Sequence, residues 1–218
     1  MGKLLTSILA GVLTLTAPSC SYHSRRTIEV SQRVGVRMNV SWERLITDCK
    51  PRTLGEISSY LEDCIDSSVK YPDFFRSAKR TVDDGKGDCK DNSALACCLA
   101  QDLGYKPMML VLQGQGESNH AVCLLERIDE NANKKYGVID REILVSPEFD
   151  SKYANNFKDI PQLINFLNKI YVPNRIRNPH KGYVVVDLNL IRGWRESSED
   201  LSPQLNRILR QEKFIPVK

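Results

Sequence analysis

Beyond a polar stretch over residues 21–33, apolar positions recur first at helical and then at strand spacing, and the change of period divides the chain into elements. A weakly helical pattern covers 42–49 and ends before Pro51. Thr53 and Glu56 then have the spacing of a capping box, and Ile57, Leu61, Cys64 and Ile65 recur behind them, which predicts a firmer helix packed on the core from outside. Another short helix is expected within 71–82, with the basic and aromatic stretch 74–80 partly solvated, before the turn signal Asp83-Asp84-Gly85-Lys86-Gly87. A helix over 90–103 would carry Leu95, Cys98, Leu99 and Leu103 on one face and stop at Gly104.

Strand-like runs follow at 107–113, 120–128 and 136–145, separated by Gly-rich and Asn-rich connections. Asp159-Ile160-Pro161 opens a helix through Tyr171, 182–190 reads as a further strand, and Ser202-Pro203 opens a terminal helix. The order predicts an α+β domain in which a helix precedes an antiparallel meander. No internal repeat or low-complexity tract is present.

The first twenty residues change the picture of where the chain resides. Lys3, an apolar run over 4–16 and the small residues Ala17 and Ser19 before Cys20 read as a signal peptide or lipoprotein leader. The run falls short of the roughly 20 apolar residues of a membrane-spanning helix. Cleavage, lipid attachment at Cys20 and retention as an anchor all remain open, and Pro18 fits the lipidation signal poorly. Each places the protein outside the cytoplasm, secreted or in the periplasm or cell envelope. The remainder, 35–218, reads as one domain, since 218 residues suffice for one sizeable core. The 31 Lys and Arg against 27 Asp and Glu are mixed along the chain, for a net charge of +4, and form no basic block or nucleic-acid reading motif.

Seven cysteines in an exported chain ordinarily suggest disulfides. With Cys20 in the leader and Cys89 set aside for chemistry, an odd number remains. Cys97, Cys98 and Cys123 lie in apolar runs and read as small buried residues, leaving Cys49 with Cys64 as the one pairing to consider.

Cys89 stands at the start of the 90–103 helix, where exposed backbone N–H groups favour a thiolate and the Cys89 N–H can donate to an oxyanion. Asp88 and Asp91 oppose that ionisation, so the thiolate requires a cationic partner. His120, at the start of a strand, can supply it. If His120 and Asp140 face each other in an antiparallel hairpin, its midpoint is residue 130, inside the polar stretch 129–133 where a turn is expected. A carboxylate there would orient the ring as the third member of a triad. Each residue also has a plainer reading: Cys89 as a buried thiol, His120 as a hydrogen-bonded core histidine, Asp140 as a turn residue or a partner of Arg141.

The ordered runs Gly87-Asp88-Cys89-Lys90-Asp91, Asn119-His120-Ala121-Val122 and Tyr136-Gly137-Val138-Ile139-Asp140 resemble the transglutaminase-like branch of the papain-like cysteine enzymes, bacterial cysteine peptidase type. The resemblance covers 80–147. It implies a nucleophile at the N-terminus of a central helix packed on an antiparallel sheet that carries the histidine and aspartate. It also implies that Cys89 is the nucleophile, His120 the general base and acid, and Asp140 the orienting carboxylate, with Gly87 and Asp91 structural. Two departures stand out: Tyr136 and Gly137 occupy the place where many relatives have a tryptophan, and Lys90 replaces an acidic residue used by calcium-binding relatives. No metal and no cofactor are therefore expected, and the side chain that completes the oxyanion hole is not legible.

The expected activity is cysteine-dependent hydrolysis of peptide or other amide bonds in a protein or peptide substrate, through a thioester acyl-enzyme. A cross-linking protein-glutamine transamidase and a catalytically inactive binding module are the competing readings. His23 and His180 receive no role, His180 because it lies in an apparent surface loop, and Trp194 is expected to anchor the C-terminal segment onto the domain.

Overall fold

The computed structural model describes residues 40–67, 74–114, 119–128, 130–141, 143–145, 157–171 and 179–217. The leader, Cys20 and His23 lie outside the described residues. No helix among the described residues is long and apolar enough to cross a membrane.

The elements run α1 (Trp42–Thr47), α2 (Leu54–Cys64), α3 (Ala78–Asp84), α4 (Cys89–Asp102), β1 (Lys106–Gln113), β2 (Asn119–Ile128), β3 (Lys134–Ile139), β4 (Leu144–Val145), α5 (Ile160–Tyr171), β5 (Gly182–Val186), α6 (Ser202–Gln211) and β6 (Ile215–Pro216). The architecture is α+β: a six-stranded antiparallel sheet ordered β4-β3-β2-β1-β5-β6 with helices on both faces. The first four strands form the predicted meander, and β5 joins it on the free side of β1.

Strand alternation splits the core in two. Met109, Val111, Ala121, Cys123, Leu125 and Ile139 face the layer that contains α4, whereas Leu110, Leu112, Val122, Leu124 and Val138 face α5. Leu163, Ile164 and Leu167 of α5 are fully buried at helical spacing, and each such burial contributes about 1.5–3 kcal/mol. On the other face α4 is buried almost all round, with Cys97, Cys98 and Cys123 inside the core. Trp194 packs into the same core, and its carbonyl accepts from the Ala78 N–H.

Several expectations are refined. The Thr53 hydroxyl caps α2 by accepting from the Glu56 N–H, but the Glu56 carboxylate reaches back to the Arg52 N–H, one residue before the cap. The stretch 74–80 is not a partly solvated helix: Phe75 and Arg76 are buried and α3 begins only at Ala78. The run 136–145 is two strands, because reciprocal hydrogen bonds between Asp140 and Ile143 turn the chain. Likewise 182–190 ends as a strand at Val186 and continues as a 3-10 turn capped by Asp187. Cys64 is not in a disulfide, and Cys49 is disulfide-bonded without it; α2 carries Cys64 roughly 16 Å along its axis from the end at which the chain from Cys49 enters.

A candidate Cys-His-Asp site at the end of the sheet

Cys89 is the first residue of α4, and the helix starts there because Asp88 caps it. The Asp88 carboxylate accepts from the N–H groups of Lys90 and Asp91, while Asp91 returns a bond to the Asp88 N–H, forming a capping box. Three of the four N–H groups that a helix start leaves unpaired are thus engaged by carboxylates, and the Cys89 N–H is the fourth. A molecule arriving at the thiol would meet that donor.

The two acidic neighbours of Cys89 are both committed elsewhere. Asp88 contacts the Lys90 ammonium as well as the helix start. Asp91 is fully buried and bonds the Arg76 backbone N–H at 2.8 Å and its guanidinium at 3.0 Å, with Asp84 holding the other side of that guanidinium at 3.1 Å. Gly87 allows this approach: a Cβ there would lie 2.7 Å from the Cβ of Asp91 and 3.0 Å from Cγ2 of Thr81. No element of the sequence pattern announced Arg76, whose partner is fifteen residues away.

His120 occupies the second position of β2 on the α5 face, sharing it with Val122 and Leu124. Pairing between β2 and β3 begins only at Cys123 with Ile139, because β3 ends before Asp140. The edge of β2 ahead of Cys123 is therefore not covered by β3. There the Cys89 thiol, though carried by the helix on the opposite face, lies within electrostatic reach of the Ala121 N–H and the His120 ring.

The hairpin register centres on residue 131, so that Val122 would oppose Asp140, whereas the sequence had placed His120 opposite it. The displacement leaves the faces unchanged, since the paired numbers still sum to an even value and His120 and Asp140 remain on the same side. Nε2 of His120 lies 2.9 Å from Oδ2 of Asp140. The remaining nitrogen, Nδ1, is buried with no hydrogen-bond partner among the described residues and is the ring atom left for the thiol. Asp140 does not pair with the Arg141 guanidinium, which turns away to Ser67 and the Glu62 carbonyl; only the Arg141 N–H binds Asp140, at Oδ1 and 2.8 Å.

Electrostatics couple the three groups. Burial works against charge on each, yet the contacts prevail for all of them. Burial raises the Cys89 thiol, but hydrogen bonding and charge from His120 and the Ala121 N–H bring it below its ordinary value, against a smaller opposing effect of Asp88. Burial disfavours the His120 cation, but Asp140 and then Cys89 lift its pKa to about 8. Asp140, half-buried, is brought down to about 2 by His120, Tyr171 and the Arg141 N–H against the opposing effect of desolvation. These directions favour the thiolate–imidazolium form of the pair.

Two side chains that the sequence reading left without a role stand beside this group. The Tyr171 hydroxyl donates to the same Asp140 Oδ2 at 2.5 Å. His180, expected in a surface loop, is buried, with its ring 6.3 Å from that of His120. Asn168 draws it inward, its Oδ1 lying 2.9 Å from both the His180 N and Nδ1. Tyr171 continues the buried stripe of α5, and its hydroxyl carries no periodic signal.

Among the described residues no cluster of three or more His, Cys, Asp and Glu side chains is placed to hold a metal ion. In comparisons with known proteins, the sequence matches no protein-family model and no curated protein.

Proposed function

We propose that Cys89, His120 and Asp140 act as the catalytic triad of an exported transglutaminase-like cysteine hydrolase that cleaves amide bonds in a protein or peptide substrate. The observation that carries this reading is the His120 ring, bonded on one side to a half-buried carboxylate and coupled on the other to a half-buried thiol at a helix start. Support for the family is the order of the motif residues and the helix-on-sheet arrangement that brings them together.

In this reading the Cys89 thiolate attacks the carbonyl carbon, and the Cys89 N–H stabilises the oxyanion that forms. The His120 imidazolium gives its proton to the departing amine nitrogen as the C–N bond breaks, leaving a thioester. Water then adds to the thioester while His120 takes its proton. Collapse expels the thiolate and releases the acid, restoring the ion pair. Asp140 keeps Nε2 as an N–H donor, which leaves Nδ1 to exchange the proton with sulfur and substrate. An amine in place of water gives transamidation by the same steps.

Iodoacetamide at mildly acidic pH tests the nucleophile. Cys89 should label much faster than Cys64, and equal rates would end the enzymatic reading in favour of a binding module. Incubation with a labelled primary amine and a glutamine-bearing protein separates the acceptors: cleavage without incorporation supports hydrolysis, and incorporation supports transamidation.

A further inference from the structure

We propose that Tyr171 and His180, both held by helix α5, are positioning residues that fix the His120–Asp140 pair in the orientation required for proton exchange with Cys89. The inference rests on the triad reading above and adds that the base is set by a different helix, on the opposite face of the sheet, from the one that presents the nucleophile.

A hydrogen bond from Nε2 to Asp140 fixes one point of the imidazole but leaves its plane free to rotate, since the ring torsion has a broad minimum. Two further contacts remove that freedom. His180 lies against the face of His120 with 22° between the planes, and Tyr171 meets the ring edge-on at 86°, centroids 5.9 Å apart. Tyr171 and His180 also meet each other edge-on, at 5.8 Å. His120 is thus held by a bond, a face and an edge.

Helix α5 supplies the anchors for both neighbours. Tyr171, at its last residue, donates to Asp140 Oδ2, the oxygen that also accepts from His120. Asn168, three residues earlier and on the same side of the helix, accepts from the His180 backbone N–H through Oδ1 and donates through Nδ2 to the His180 carbonyl at 3.2 Å. With the amide so oriented, the ring Nδ1 facing Oδ1 carries a hydrogen. A structural role in α5 packing alone requires neither the hydroxyl of Tyr171 nor a flat group at 180. Leu163, Ile164 and Leu167 already bury the helix.

The test uses the full chain with isotope-labelled histidine, whose three residues are resolved by NMR and assigned with the His180 variants. Tyr171→Phe keeps the ring and removes only the hydroxyl. Asp140 then loses a donor and more of its charge falls on His120, so the His120 titration midpoint should rise by about half a unit, roughly three-fold in its ionisation constant. His180→Ala should slow iodoacetamide labelling of Cys89 at pH 6 about ten-fold, and His180→Phe, which restores a flat face, should recover the rate to within about three-fold. Should His180→Ala not fold, His180→Gln is measured in its place. Superimposed titrations of wild type and Tyr171→Phe, or labelling of the Ala or Gln variant at the wild-type rate, overturn the inference while leaving the triad intact. An unreactive Cys89 in the wild type overturns both.

Discussion

Replacing Asp140 by Asn removes the charge that holds His120 protonated while keeping the side-chain volume. His120 is lifted from an ordinary value of 6.5 to about 8 against the opposing effect of burial, with Asp140 the larger contributor and Cys89 the smaller. That rise corresponds to about 2 kcal/mol of preference for the charged ring in the folded state. Because the folded pKa is raised, this stabilisation is fully present below the unfolded value and is lost as pH rises through about 8. Asp140 behaves oppositely: held near 2, it contributes above its ordinary 3.8 and ceases to as pH falls through 2. The pair therefore supports the fold most between roughly pH 4 and pH 6.5. Asparagine cannot take its place, since all three groups around the carboxylate are donors: the His120 Nε2–H, the Tyr171 hydroxyl and the Arg141 N–H. An amide must turn its own NH2 toward at least one of them. Urea unfolding of both proteins from pH 5 to pH 9 reads the difference directly, with other titrations cancelling between them. The gap in stability should be widest near pH 6, about 2 kcal/mol or more, and should narrow toward pH 9. A gap that stays constant across that range would refute the account of His120 as a cation held by Asp140.

Three further outcomes follow from the surroundings of the site. Asp88→Asn keeps the cap on α4 but removes the charge that opposes the thiolate, so the pH midpoint of Cys89 alkylation should move down; an unchanged or higher midpoint would refute the opposing role of Asp88. Gly87→Ala drives a Cβ against Asp91 and Thr81 and should cost about 1–3 kcal/mol in chemical unfolding, with slower Cys89 labelling as the start of α4 shifts. Arg76→Ala leaves the buried Asp91 without its partner, and because burial already lifts that carboxyl to about 6 it should take up a proton, so a loss of about 1–3 kcal/mol and a Tm lower by roughly 2–12 °C are expected by calorimetry.

The sequence by itself determined the order and type of the elements that carry the site. Helical and strand periods are local properties, as are the turn at Gly85 and the helix end at Gly104, both at positive φ, and the polar turn between β2 and β3. Even the face shared by His120 and Asp140 followed from alternation, which survived an error in the register of the hairpin. Tertiary structure decided what no local pattern encodes. The split of 136–145 at Asp140 depends on two hydrogen bonds across a turn, and that split uncovers the edge of β2 where Cys89 reaches Ala121 and His120. Arg76 found Asp91, Tyr171 found Asp140, and His180 came inward onto His120 because chain segments far apart in sequence were packed together. Periodicity reports which face of an element is apolar; it carries no information about which polar atom on another element lies within 3 Å, and the surroundings of the His120 ring are set by such atoms.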